Sequence, residues 1–283
     1  LLISVKPCPL SASYINNFIN FDSNIFDLEF MTYIKINNLL GWLSFLIALI
    51  VYTLTLEPTT SFWDSGEFIA SAYKLQVVHQ PGAPLFLMLG KVFSLIAGSD
   101  TSRVAFWINM CSALASAATI LFLFWTITAL AKKVIQEKGT ELSNWGMISI
   151  MGSGLVGALA YAFSDSFWFS AVEAEVYALS SLCTAVVFWA ILKWDQHADE
   201  PDSDRWLIFI AYVMGLSIGV HLLNLLAIPA IALVYYFRRS KTPTSSGTLL
   251  TLLVGMFILA FVQYGIVQYI IKFAAYSDLI FVN

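Results

Sequence analysis

Runs of about 18 or more apolar residues recur along this chain, close to the ~20 that a helix needs to cross the hydrocarbon core of a bilayer. A backbone immersed in hydrocarbon must satisfy its own hydrogen bonds, so runs of this kind are confined to helices. Composition agrees, with 59% hydrophobic and only 11% charged residues, against roughly 25% charged in an ordinary soluble domain. The chain therefore reads as an all-α integral membrane protein. Its net charge of -4 is spread along the sequence, without the basic stripe that nucleic acid requires, and that class of partner is excluded. Cys8, Cys111 and Cys183 stand apart, form no CxxC pair and read as small core residues.

Clear spans fall at 39–56, 104–131, 145–163, 176–194 and 248–271. The apolar stretch 206–237 would be about 48 Å long as one helix, well beyond a core of about 30 Å. Two short spans fit better, with His221 and Asn224 at the turn between them and Pro229 interrupting any helix that continued through it. A single tilted, proline-kinked helix is the alternative. The segment 84–98 is apolar but short and carries Lys91. Only if it lies in the membrane plane do Lys35, Lys132, Lys133, Lys138, Arg238, Arg239 and Lys241 all fall on the cytoplasmic side. The reading is then about seven spans, with two in-plane helices, over 65–78 and 84–98, in an external segment from Glu57 to Ser102. Residues 1–30 lack the pattern of a signal peptide and are expected to be an upstream extension with little structure, with a natural start at Met31. Residues 31–283 are expected to be the N-terminal part of a larger transmembrane domain.

Two acidic groups meet on the external face in this topology: Asp64 and Glu67 in the first loop, and Asp165, Glu173 and Glu175 between the third and fourth spans. Carboxylates beside apolar segments are costly to keep, which makes them functional candidates. Asp64-Ser65-Gly66-Glu67 also has the pattern of a capping box. Glu173 and Glu175 also suit the positive end of a helix; Glu175, beginning the span that continues through Val176 and Tyr177, ranks above Glu173. His79, Lys91, Arg103, His221 and Asn224 share this face and suit an anionic group such as phosphate. Their ordinary alternatives are snorkelling for Lys91 and Arg103, a rigid turn for His79, and a helix–helix hydrogen bond for His221 and Asn224. No Walker loop, GxSxG, HExxH or zinc spacing occurs.

The segment Trp63-Asp64-Ser65-Gly66-Glu67-Phe68, the stretch His79 to Pro84, Phe167-Trp168 with Glu175-Val176-Tyr177, and Gly215-Leu216 through His221 and Asn224 together carry a resemblance to the GT-C superfamily of polyprenyl-phosphate-sugar-dependent glycosyltransferases. More narrowly, residues 31–283 resemble a bacterial multi-pass family whose eukaryotic relatives are protein O-mannosyltransferases acting on plexin-type receptors. The resemblance implies an inner-membrane enzyme with a periplasmic active face. Its partners would be membrane lipids, a lipid-linked sugar donor and an exported acceptor protein. It would have no cofactor and no metal. Asp64 takes the place of the catalytic base, with Glu67 beside it; His79, Arg103, Glu175, Tyr177, His221 and Asn224 are the expected substrate contacts. The family's His-Pro-Pro-Gly departs here to His79-Gln80-Pro81-Gly82, and Leu222 stands where the eukaryotic relatives carry a hydroxyl residue. The rival reading is a secondary transporter with its site at the broken helix 206–237.

Overall fold

The computed structural model describes residues 10–80, 82–136 and 142–282, with side chains from residue 32 onward. Among these residues there are helices and connecting turns and no strand. The helices are α1 (Leu10–Leu54), α2 (Ser65–Lys74), α3 (Pro84–Ser94), α4 (Val104–Ile135), α5 (Asn144–Ala162), α6 (Asp165–Ala171), α7 (Val176–His197), α8 (Arg205–Ile218), α9 (Ile228–Arg239), α10 (Ser245–Ala260) and α11 (Gln268–Val282). Among the described residues six stretches are long and apolar enough to span a membrane by themselves: Thr32–Leu54, Thr101–Ile135, Asn144–Ala162, Val176–His197, Leu222–Arg239 and Ser245–Val282.

The stretch 206–237 breaks in two, as expected: α8, only 14 residues long or roughly 21 Å of helix, leads from the end where α7 finishes to His221 at the cavity, and α9 returns to the end where Arg238 pairs with Asp195. The chain unwinds at Gly219, extends at His221 (φ -160, ψ 144) and restarts as a 3₁₀ turn over Leu222–Ala227. Pro229 then occupies the first turn of α9, where its missing N–H costs nothing. Of the expected upstream extension, residues 1–9 lie outside the described residues, and from Leu10 the backbone is helical. No proline or glycine occurs between Leu10 and Gly41, so nothing in the sequence stops the helix of the first span from continuing backwards.

α4 is the central post, packed between α1, α5 and α7. Small side chains allow these close approaches, as in other membrane bundles. Gly154, Ala158 and Ala162 recur every fourth residue along the buried face of α5, and a Cβ at Gly154 would sit 2.6 Å from Thr128 of α4. In the first loop, α3 packs on α2 so tightly that a Cβ at Gly90 would lie 2.9 Å from that of Ala72. α3 buries Phe86, Leu87 and Gly90 and exposes Met88 and Val92, and the 3₁₀ turn that follows it exposes Leu95 and Ile96.

The cationic ends of α4, α7 and α9 gather at one end of the bundle. Lys133 and Arg238 both pair with Asp195, Arg238 also pairs with Asp199, and Arg239 pairs with Asp204 at 3.5 Å. The ammonium of Lys132 lies 4.4 Å from the ring centre of Tyr33 on α1. The loops grouped by the positive-inside rule are thus neighbours in space. The first loop and the start of α7 form the opposite end.

Candidate active site

The loop after α1 is held open by its neighbours. Asn109 of α4, fully buried, donates through Nδ2 to the carbonyls of Glu57 (2.7 Å) and Thr59 (3.0 Å). The amide of Glu57 donates to Val172 at 3.1 Å, and the Ser61 hydroxyl donates to the carboxylate of Glu173. Pinned in this way, the chain turns at Trp63 with φ 61, a left-handed conformation uncommon for a bulky residue and one that concentrates at functional sites. Asp64 follows directly and begins α2.

Asp64 occupies the N-cap position of α2, but its side chain makes no capping hydrogen bond. Glu67 does not turn back to Asp64, as a capping box requires. It reaches instead across the loop to His79, accepting from the His79 amide through Oε1 at 2.8 Å and meeting the ring Nδ1 through Oε2 at 2.8 Å. The carboxylate of Asp64 is left 59% exposed, 3.9 Å from Nε2 of His79.

These residues form one wall of a cavity of about 410 Å³. Asp64, His79, Glu173, Glu175, Tyr177 and His221 all face it, with Trp63, Phe68 and Phe169 as aromatic lining. Glu175 is 8% exposed, at the start of α7, and its carboxyl is pushed up to about 7, first by burial and then by the neighbouring Glu173. Glu173 is also raised by burial, with the Ser61 hydrogen bond opposing. The hydrogen bond from His79 holds Glu67 below the usual carboxylate range, and the same contact raises His79. The rings of His221 and Tyr177 lie 5.4 Å apart on the far wall.

Of the sequence candidates, Asp64, His79, Glu175, Tyr177 and His221 therefore converge, with Glu67 behind His79. Arg103 and Asn224 do not join them. Arg103 is exposed at the start of α4 and does not line the cavity. Asn224 is fully buried and donates to the Ser217 hydroxyl at 3.1 Å, closing the break between α8 and the 3₁₀ turn. Ser61 and Asn109 are the working residues that sequence reasoning did not place at this site. Asn109, a polar residue in an apolar run and so open to a transport role, is instead the anchor of the first loop. Among the described residues that line the cavity there is no lysine or arginine.

One ligand atom from each of Asp64, Glu67 and His79 lies within 4.8 Å of the other two, a spacing that one cation can bridge. Both oxygens of Glu67 are already engaged by His79, so an ion taking a ligand atom from Glu67 would compete with one of these hydrogen bonds.

A multi-pass helical membrane protein with a carboxylate-rich, aromatic-lined cavity at one end is the class that fold and site define. The chain belongs to the family described as the N-terminal domain of protein O-mannosyl-transferase TMEM260, whose model matches residues 64–244. Among similar proteins is protein O-mannosyl-transferase tmem260 of Dictyostelium discoideum, 27% identical over 188 residues that make up 64% of this chain and 21% of that protein. Another is protein O-mannosyl-transferase TMEM260 of Mus musculus, 27% identical over 168 residues, 59% of this chain and 21% of that protein. The chain thus matches about a fifth of the length of these relatives. No solved structure matches.

Proposed function

We propose that this chain forms the catalytic end of a membrane glycosyltransferase that moves mannose from a polyprenyl-phosphate carrier to serine or threonine hydroxyls of exported proteins. The observation that carries the reading is Asp64: a carboxylate with no capping duty, at the mouth of a cavity, where the family match begins. In the proposed reaction the acceptor oxygen attacks the anomeric carbon, the bond from that carbon to the phosphate oxygen breaks, and the hydroxyl proton passes to Asp64. General-base help of this kind contributes about 10² to 10⁴-fold. Aromatic faces beside carboxylates suit a sugar, whose C–H faces pack on rings while its hydroxyls hydrogen-bond to acid groups. Glu175, with its titration near neutrality, can donate to or accept from such a hydroxyl.

The test uses the full-length protein in proteoliposomes with polyprenyl-phosphate mannose labelled in the sugar and a secreted acceptor, followed by peptide mapping. Wild type transfers label to Ser or Thr, and Asp64→Asn, inserted and folded equally well, loses at least about 10²-fold. Transfer unchanged in Asp64→Asn overturns the reading.

A further inference from the structure

We propose that His79, held by Glu67, is the cation that meets the phosphate of the lipid-linked donor, and that Glu67 acts through His79 as a positioning residue; this rests on the glycosyl-transfer reading above. A sugar phosphodiester brings one negative charge into the site, and the departing monophosphate carries up to two. Catalysis then requires a positive group where charge grows. The cavity is poor in such groups. Among the described residues its lining includes three carboxylates and no lysine or arginine, and the cation-capable side chains there are His79 and His221. Arg103 and Asn224, which sequence reasoning set against the phosphate, are elsewhere.

His79 is built for the task by its surroundings. A carboxylate only accepts hydrogen bonds, so the contact of Glu67 Oε2 with Nδ1 at 2.8 Å puts a proton on Nδ1. The second Glu67 oxygen takes the His79 amide at 2.8 Å, which fixes backbone and ring together. Phe68 supports the ring with an edge-on contact, centroids 5.7 Å apart. Nε2 then points away from Glu67 to the Asp64 side. At 3.9 Å from Asp64 it is beyond hydrogen-bond distance, so its proton is available to a ligand. The charged groups that face His79 are Glu67, Asp64 and, from the start of α7, Glu175, all acidic. Every one favours the imidazolium. During transfer the electron pair of the breaking carbon–oxygen bond goes to the phosphate, the acceptor proton goes to Asp64, and His79 keeps its own proton while donating through Nε2.

A base and a positioning residue differ in how their loss depends on pH. Without Glu67, the largest contribution holding His79 up is gone, and its titration moves down toward the ordinary imidazole range. Glu67→Ala should therefore cost little at about pH 6, within roughly threefold of wild type in kcat/KM for donor, and at least about tenfold at pH 8. Glu67→Gln, which preserves shape, should show the same divergence and decides the matter if Glu67→Ala does not fold. His79→Gln should lose at least about tenfold at both pH values, and His79→Lys should recover part of that loss, because the charge returns. A defect in Glu67→Gln that is equal at both pH values, or His79→Lys no better than His79→Gln, overturns the proposal. Absence of transfer by wild type, or transfer by Asp64→Asn, would instead overturn the glycosyl-transfer reading, so the two failures are distinct.

Discussion

The amide of Leu85 donates to the carbonyl of Gly219 at 2.7 Å, tying the first turn of α3 in the external loop to the point where α8 unwinds. The two walls of the cavity are thereby joined: His79 lies six residues before Leu85, and His221 two residues after Gly219. A Cβ at Gly219 would lie 3.1 Å from that of Leu85, tighter than ordinary contact.

Gly219→Val should therefore push α3 and the unwound segment apart. Overpacking at a close contact typically costs about 1–3 kcal/mol, so a lower Tm in detergent is expected. The more telling result is a fall in transfer larger than the stability loss explains, because His79 and His221 separate. Wild-type transfer in a Gly219→Val protein would show that this tie does not set the cavity.

Asn109→Leu keeps much of the volume but removes two hydrogen bonds to the loop that carries Trp63 and Asp64. Leaving the Glu57 and Thr59 carbonyls without that donor should cost roughly 1–3 kcal/mol. The expected signature is faster proteolysis between Glu57 and Asp64 together with reduced transfer. If Asn109 served a transported solute instead, the loop would stay protected.

How far the sequence discloses this arrangement follows from the range of each signal. Spans are legible because hydropathy averaged over about 18 residues outweighs local detail. The break in 206–237 is legible too, since the run is too long for one crossing and holds His221 and Asn224 midway. Its exact place is not, because the Leu85 contact at Gly219 comes from a helix over a hundred residues earlier. Asp64 and Glu67 look like a capping box because that pattern is local, whereas the partner Glu67 takes, His79, is 12 residues away and carries no periodic signal. Asn224 is just as local a reading: the sequence puts it near His221, while its side chain turns inward to Ser217, seven residues earlier.

Transfer should persist in EDTA. Asp64, Glu67 and His79 are near enough to share an ion, but Glu67 is committed to His79 through both oxygens, and a cation drawing a ligand atom from Glu67 would compete with those hydrogen bonds. Dialysis against chelator followed by the labelled-sugar assay checks this, with Mn²⁺ re-addition as the control. Loss on chelation with recovery on re-addition would show that the three side chains exchange their hydrogen bonds for a metal.

Glu175 offers a prediction whose sign is fixed by linkage. Its carboxyl is raised to about 7, chiefly by burial, so the folded protein disfavours the carboxylate relative to the unfolded chain, where a glutamate titrates near 4.3. The penalty is present in full above about pH 7, shrinks as pH falls from there, and is gone below about 4.3. Glu175→Gln, permanently neutral, should therefore be more stable than wild type at pH 8, by at most about 3 kcal/mol given the size of the shift, and should match it near pH 4. Thermal unfolding in detergent at both pH values measures the difference. Activity should move the other way: if Glu175 holds a sugar hydroxyl, the variant raises donor KM even where it raises Tm, and the limb of the pH profile near 7 disappears. A variant with neither gain at pH 8 nor an altered profile would mean that Glu175 is ionised and solvated in the working protein, and that the acidic wall carries its full charge when donor arrives.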